Sequence, residues 1–158
     1  MTDTAPGSRQ AVPDQEELPF LDEHREHIDV PADVAWTALV GVLRRRMGGF
    51  RTYARALGCD PQVATPGFSG RVGETLPGFR VVDSEPGRRL ALRGQHRFAR
   101  YALTFLIDGD QLTARSEAAF PGIHGRMYRA LLMGTGGHQL VTRGLLRHVA
   151  RAAGHAPV

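Results

Sequence analysis

Between residues 61 and 120 the chain is punctuated by Pro77-Gly78, Pro86-Gly87 and Asp108-Gly109, and after Pro121 an amphipathic helical stretch runs on towards the C-terminus. Pro-Gly and Asp-Gly pairs at hairpin spacing specify antiparallel strands, because glycine takes the positive φ that such turns require. One strand signal and two helix signals come before this ribbon of strands. That order constrains the fold more than any single residue does. It predicts an α+β domain in which a curved antiparallel sheet of six to seven strands wraps around a long C-terminal helix.

Residues 23–30 read as the first strand, with Ile28 and Val30 on one face and His27 and Asp29 on the other. Pro31 suits a first helical position and Asp33 the positive end of a helix dipole, so a helix is predicted over 32–46. Its apolar members Val34, Trp36, Leu39, Val40 and Leu43 recur at three- and four-residue steps. Gly48-Gly49 breaks it, and a short second helix over 50–57 stops at Gly58, a C′ glycine. Further strands are predicted over 70–75, 79–85, 88–96, 98–108 and 111–120. Leu90 and Leu92 alternate with Arg89, Ala91 and Arg93, the pattern of a sheet covered on one side only. Tyr101, Leu103, Phe105 and Ile107 share one face of the next strand.

Pro121 opens the last helix. Met127, Leu131, Gly134, His138, Val141 and Leu145 form its apolar stripe, with Arg126, Arg129, Arg143, Arg147 and Arg151 elsewhere around it. Gly134, Gly136 and Gly137 each cost roughly 1 kcal/mol relative to Ala in a helix interior. A bend, a close approach of the sheet backbone, or room for a ligand would each account for them.

At 158 residues the chain fits one domain. Residues 1–20, rich in Thr, Pro, Ser, Gln and acids, read as a disordered acidic tail, leaving 21–155 as a single domain. No run approaches the ~20 apolar residues of a membrane span, and the N-terminus does not resemble a signal peptide. Cys59 is the single cysteine, which excludes an internal disulfide or a CxxC zinc site. A cytoplasmic protein is expected. All 20 basic residues are arginine. Residues 1–33 hold nine acids against Arg9 and Arg25, whereas after Glu117 there is no acid at all. Such asymmetry can mark a basic surface for an anionic partner, but no helix-turn-helix, zinc finger or RNP motif accompanies it, which argues against nucleic acid.

The stretch Ile28-Asp29-Val30-Pro31-Ala32-Asp33-Val34-Ala35-Trp36 resembles the strand-to-helix junction of the START-like, or SRPBCC, helix-grip superfamily. Phe79-Arg80-Val81-Val82 through Pro86-Gly87-Arg88-Arg89-Leu90-Ala91-Leu92 resembles its central hairpin. Tyr101-Ala102-Leu103-Thr104-Phe105 and the helix from Gly122 complete the likeness, which covers about residues 23–153. Gly125-Arg126-Met127-Tyr128-Arg129 is similar to small bacterial members. The resemblance implies binding of an apolar or amphipathic small molecule between sheet and last helix, with chemistry in that cavity in some members, such as polyketide cyclases. The implied cavity wall, by alternation, is Leu90, Leu92, Tyr101, Leu103, Phe105, Met127, Leu131 and His138.

Other chemistry finds little support in the residues. His24 and His27 lie three apart on a strand and so face opposite ways. His124 and His138 stand ~21 Å apart along a helix, so neither pair chelates one ion and no metal is expected. No GxSxG elbow, P-loop or dinucleotide fingerprint is present, and no cofactor is expected. His138 reads either as a hydrogen-bonded core histidine or as a polar functional group. His138, Tyr101 and Glu117 could together supply acid–base chemistry, although alternation leaves open the faces of His96 and Glu117. Three functions follow as expectations: a carrier or binder of a hydrophobic small molecule, a cyclase- or dehydratase-type enzyme using the same cavity, and a regulatory module binding an anionic macromolecule. Oligomeric state is not legible.

Overall fold

The computed structural model describes residues 17–135 and 137–154, apart from the side chains of Leu132, Gly137 and His138. Six strands, β1 (Phe20–His27), β2 (Thr75–Leu76), β3 (Phe79–Glu85), β4 (Arg89–His96), β5 (Ala99–Asp108) and β6 (Gln111–Ala119), form one antiparallel sheet in the order β1-β6-β5-β4-β3-β2. Helix α1 (Ala32–Met47) follows β1, and a single 3-10 turn leads into α2 (Arg51–Leu57). Helices α3 (Gly122–Gly134) and α4 (Gly137–Gly154) come last.

The turn chemistry explains the meander. Gly78, Gly87 and Gly109 adopt φ of 85°, 78° and 57°, a region closed to most side chains. Asp108 pairs with Gln111, so Gly109 and Asp110 alone join β5 to β6. Gly58 ends α2 in the left-handed conformation, its N–H donating to Arg55 O (3.2 Å) and that of Cys59 to Ala54 O (2.8 Å).

Cross-strand register lines up the apolar face. Leu90 pairs with Phe105 and Phe105 with Ala114, all three fully out of water. Leu92 pairs with Leu103, and Ile107 with Leu112. Leu39, Val42 and Leu43 from α1 and Leu146 and Val149 from α4 close over this face in one core cluster. Burying each such side chain is worth about 1.5–3 kcal/mol. At their edge the two helices are joined by His148, which donates from Nδ1 to Gly144 O (2.6 Å) and accepts Arg46 at Nε2.

Three elements differ from the sequence expectation. The first strand lies at Phe20–His27, not 23–30, because the residues that β6 places on its inner face are Asp22, His24 and Glu26, which leave no apolar alternation to read. Ile28 is buried just beyond its end, donating its N–H to Asp110 O (2.7 Å). The predicted strand over 70–75 is mostly loop, with Gly70 and Gly73 at φ of 82° and 89°. Its shape comes from the Glu74 carboxylate, which accepts Ser69 N–H (2.8 Å), Ser69 Oγ (2.9 Å) and Arg71 N–H (3.0 Å). The last helix is two helices, separated at Thr135, whose N–H returns to Leu131 O (3.2 Å). Of these, α4 packs on α1 and the sheet.

Gly94 marks the tightest approach on the inner face. A Cβ there would sit 1.8 Å from Gly78 O and 2.7 Å from a Tyr101 ring carbon. Gly94→Ala is therefore expected to cost about 3 kcal/mol or more in urea unfolding, since backbone rather than a mobile side chain must yield. Gly144→Ala, at a helical site with open space around it, is expected to stabilise by about 0.5–1 kcal/mol.

Candidate functional site

The inner face of the sheet has two chemically distinct ends. Towards the β5–β6 turn it is apolar and closed by α1 and α4. Towards the start of β5 it becomes aromatic and polar, because the register brings Gly94 opposite Tyr101, Tyr101 opposite Ala118, and Leu103 opposite Ser116.

Tyr101 anchors the aromatic part. Its hydroxyl donates to Gly78 O (2.9 Å) and lies 3.8 Å from Cys59 Sγ, while its ring meets Phe79 edge-on with centroids 5.0 Å apart. Burial, with the neighbouring Cys59 adding to it, pushes the phenol far above its ordinary pKa, so the group stays protonated. With its proton committed to a backbone carbonyl, Tyr101 is a clamp on the β2–β3 turn.

His96 lies beside it, its ring centroid 5.5 Å from that of Tyr101 and 5.1 Å from that of Tyr128 on α3. The His96 Nδ1 accepts Phe98 N–H (3.1 Å), which places the proton of the neutral ring on Nε2. Burial lowers the His96 pKa and favours that neutral form. Tyr128 stacks on Phe98 (5.6 Å, 22°) and its hydroxyl pairs with that of Tyr53 at 3.3 Å. Burial and then this hydroxyl contact raise the Tyr128 pKa as well.

The polar part lies across β1 and β6. Asp22 pairs directly with Ser116, and His24 with Ala114, on the inner face. His24 Nδ1 accepts Arg143 Nε from α4 (3.3 Å), and its Nε2 lies against Asp22 Oδ2 (3.3 Å). Ser116 is 3% exposed, and its hydroxyl has no hydrogen-bond partner among the described residues. Nδ1 of His24 is thus taken by Arg143, while Nε2, which has no hydrogen-bond partner among the described residues, lies beside Asp22, and the Ser116 hydroxyl is bonded to neither. Ser116, His24 and Asp22 do not form a nucleophile–base–acid relay; they form a polar patch set into an apolar wall.

The structure distributes the sequence-predicted wall residues unevenly. Leu90, Leu92 and Phe105 are fully buried in the core, whereas Tyr101 and Leu103 on the same face are half-buried. Met127 and Leu131 on α3 are each 68% exposed. The His138 side chain lies outside the described residues. Glu117 sits opposite Ala102, on the outer face, where it accepts Arg115 Nε (3.2 Å). Tyr101 is one residue removed in parity, so Glu117 and Tyr101 point to opposite sides of the sheet and the acid–base trio does not assemble. Two open grooves lie elsewhere among the described residues. One, of about 590 Å³, runs between α1 and α4 and is lined by Val42, Arg45, Arg46, His148, Arg151 and Ala152. The other, of about 680 Å³, is lined by Arg46, Gly49, Phe50, Thr52, Tyr53 and Ala56.

Sequence reasoning gave Asp22 and Ser116 no role in the site, weighed His24 only as a metal ligand, and read Arg143 only as a polar position of the last helix. One signal was available: in the alternating run Leu112, Ala114, Ser116, Ala118 a lone hydroxyl occupies an apolar position. Tyr128 and Tyr53 carry no such signal, since they meet only through the tertiary fold.

A six-stranded antiparallel sheet curved over a C-terminal helix, with helices after its first strand, is a helix-grip architecture. No protein-family model matches the chain, and no curated protein does. Solved structures are similar at low identity. Protein MLL2253 from Mesorhizobium loti is 13% identical, with 87% of this chain and 98% of that one covered and a TM-score of 0.49. CalU16 from Micromonospora echinospora is 18% identical over 83% and 82% of the two chains, with a TM-score of 0.36. The Polyketide_cyc-like protein Cgl2372 from Corynebacterium glutamicum is 11% identical over 84% and 88%, with a TM-score of 0.38.

Two outcomes follow from the site. Tyr101→Phe is expected to lower stability by about 1–3 kcal/mol in chemical denaturation, because the buried Gly78 carbonyl loses its donor. The depressed His96 pKa contributes stability that is complete above the unfolded value of about 6.5 and is lost as pH falls through the folded pKa. His96→Asn, which keeps an acceptor near Nδ1, is expected to flatten the decline in Tm between pH 7 and pH 5 relative to the parent protein.

Proposed function

We propose that the protein binds an amphipathic small molecule, chiefly apolar with one oxygen-bearing group, against the inner face of the sheet beneath the last two helices. The observation that carries this reading is the row Asp22–Ser116–Leu103–Leu92, in which a buried, unpartnered hydroxyl stands next to a half-buried leucine. An orphaned hydroxyl in an apolar wall costs free energy unless a ligand or water completes it. A hydrocarbon body against Leu103 and the Tyr101 ring, with a hydroxyl or carbonyl on Ser116, satisfies both surfaces.

Binding or transport, not turnover, is the reading favoured by the titratable groups. The Tyr101 proton is held by Gly78, and Glu117 faces the other side of the sheet. A cyclase-type reaction in the same space would need an acid or base that these two do not provide.

Native mass spectrometry of the purified protein with a panel of long-chain fatty acids, alcohols and aromatic polyketides tests the proposal. A retained or added apolar species is expected, displaced by Leu103→Trp. Ser116→Ala is expected to weaken oxygen-bearing ligands by about three- to tenfold while leaving plain hydrocarbons unaffected. No bound species from either the purified protein or the panel would end this reading, as would unchanged binding in Leu103→Trp.

A further inference from the structure

Helix α3 presents to solvent the residues that a gripped helix would bury. Ile123, Met127 and Leu131 are 62%, 68% and 68% exposed, and their i, i+4, i+8 spacing makes them one continuous stripe. The helix is fixed by its other side. A Cβ on Gly125 would lie 2.7 Å from the Phe120 carbonyl carbon and 3.0 Å from Phe98 O, and Tyr128 stacks on Phe98. The apolar stripe is therefore held outward by a close backbone approach and an aromatic stack.

The charge around the stripe identifies what it suits. Arg126 and Arg129 are exposed on the same helix, and no acid follows Glu117. We propose that α3 is a membrane-surface helix that lays Ile123, Met127 and Leu131 into the interface of an anionic bilayer, while its arginines meet the lipid headgroups. A second copy of the chain fits less well, because a two-fold pairing of α3 sets Arg126 and Arg129 near their own counterparts. A nucleic acid would engage the arginines and leave the apolar stripe in water. An anionic lipid surface accounts for both features. The inference does not rest on a ligand in the sheet face, since the stripe lies outside it.

The test is co-sedimentation of the full chain with vesicles of phosphatidylcholine alone and vesicles in which about a third is phosphatidylglycerol. Binding to the anionic vesicles is expected, weakened by added salt and at least tenfold stronger than to the neutral ones. Met127→Glu with Leu131→Glu, and separately Arg126→Glu with Arg129→Glu, are each expected to reduce it at least tenfold. Both pairs are exposed, and unchanged far-ultraviolet circular dichroism checks that the fold is kept. Met127→Gln with Leu131→Gln separates lost apolar insertion from added negative charge, and should also weaken binding. Absence of vesicle binding, or binding that the Gln pair leaves intact, overturns the proposal. So does a dimer in sedimentation equilibrium that Leu131→Glu dissociates, or a DNA duplex that displaces the vesicles without involving Met127 and Leu131.

Discussion

The row Leu90–Phe105–Ala114 across β4, β5 and β6 is the contact on which the rest of the fold depends. All three side chains are out of water, and α1 and α4 can close over the sheet only because these positions present a continuous apolar surface. Antiparallel register aligns them, and the two-residue Asp108–Gln111 hairpin sets that register. A slip of one residue would turn Thr104, Thr113 and Arg115 inward instead. Placement of α4, and with it the contact of Arg143 with His24, follows from this row.

One strand length further along the same face, packing gives way to chemistry. Tyr101, His96, Ser116, Asp22 and His24 cannot contribute as hydrocarbon does, and each needs a specific partner. Gly78 O serves Tyr101, the Phe98 N–H serves His96, and Arg143 serves His24, whereas the Ser116 hydroxyl is left over. Ser116 Oγ, His24 Nε2 and Asp22 Oδ1 are buried without a hydrogen-bond partner among the described residues, which gives up stability at that point. Here the point lies beside the half-buried Leu103, where an amphipathic ligand would be accommodated.

Glycine sets the geometry at two close approaches. Gly94 lets the Gly78 carbonyl reach the sheet so that Tyr101 can bind it, and Gly125 lets α3 touch the backbone of Phe98 and Phe120. Both were visible in the sequence as glycines without an assigned purpose. Gly134 has nothing within 4 Å, so it serves neither packing nor a close contact; its role is to help end α3. The helix is interrupted after Gly134, and a close approach of the sheet backbone is not found at that glycine.

Local chemistry alone determined the hairpins, the limits of β3 and α1 to within a residue, the Gly58 helix stop, and the inner face of β4 and β5. Each of these depends on turn residues or on alternation within a few positions. The tertiary structure alone decided that β1 turns Asp22 and His24 inward, that Glu117 faces away from Tyr101, that Tyr128 meets Tyr53 and His96, and that Met127 and Leu131 face solvent. These follow from pairing partners and from where a helix is tethered. An apolar stripe on α3 looks the same in sequence whether it meets a core, a bilayer or water, because helical periodicity records which residues share a face and not what covers them.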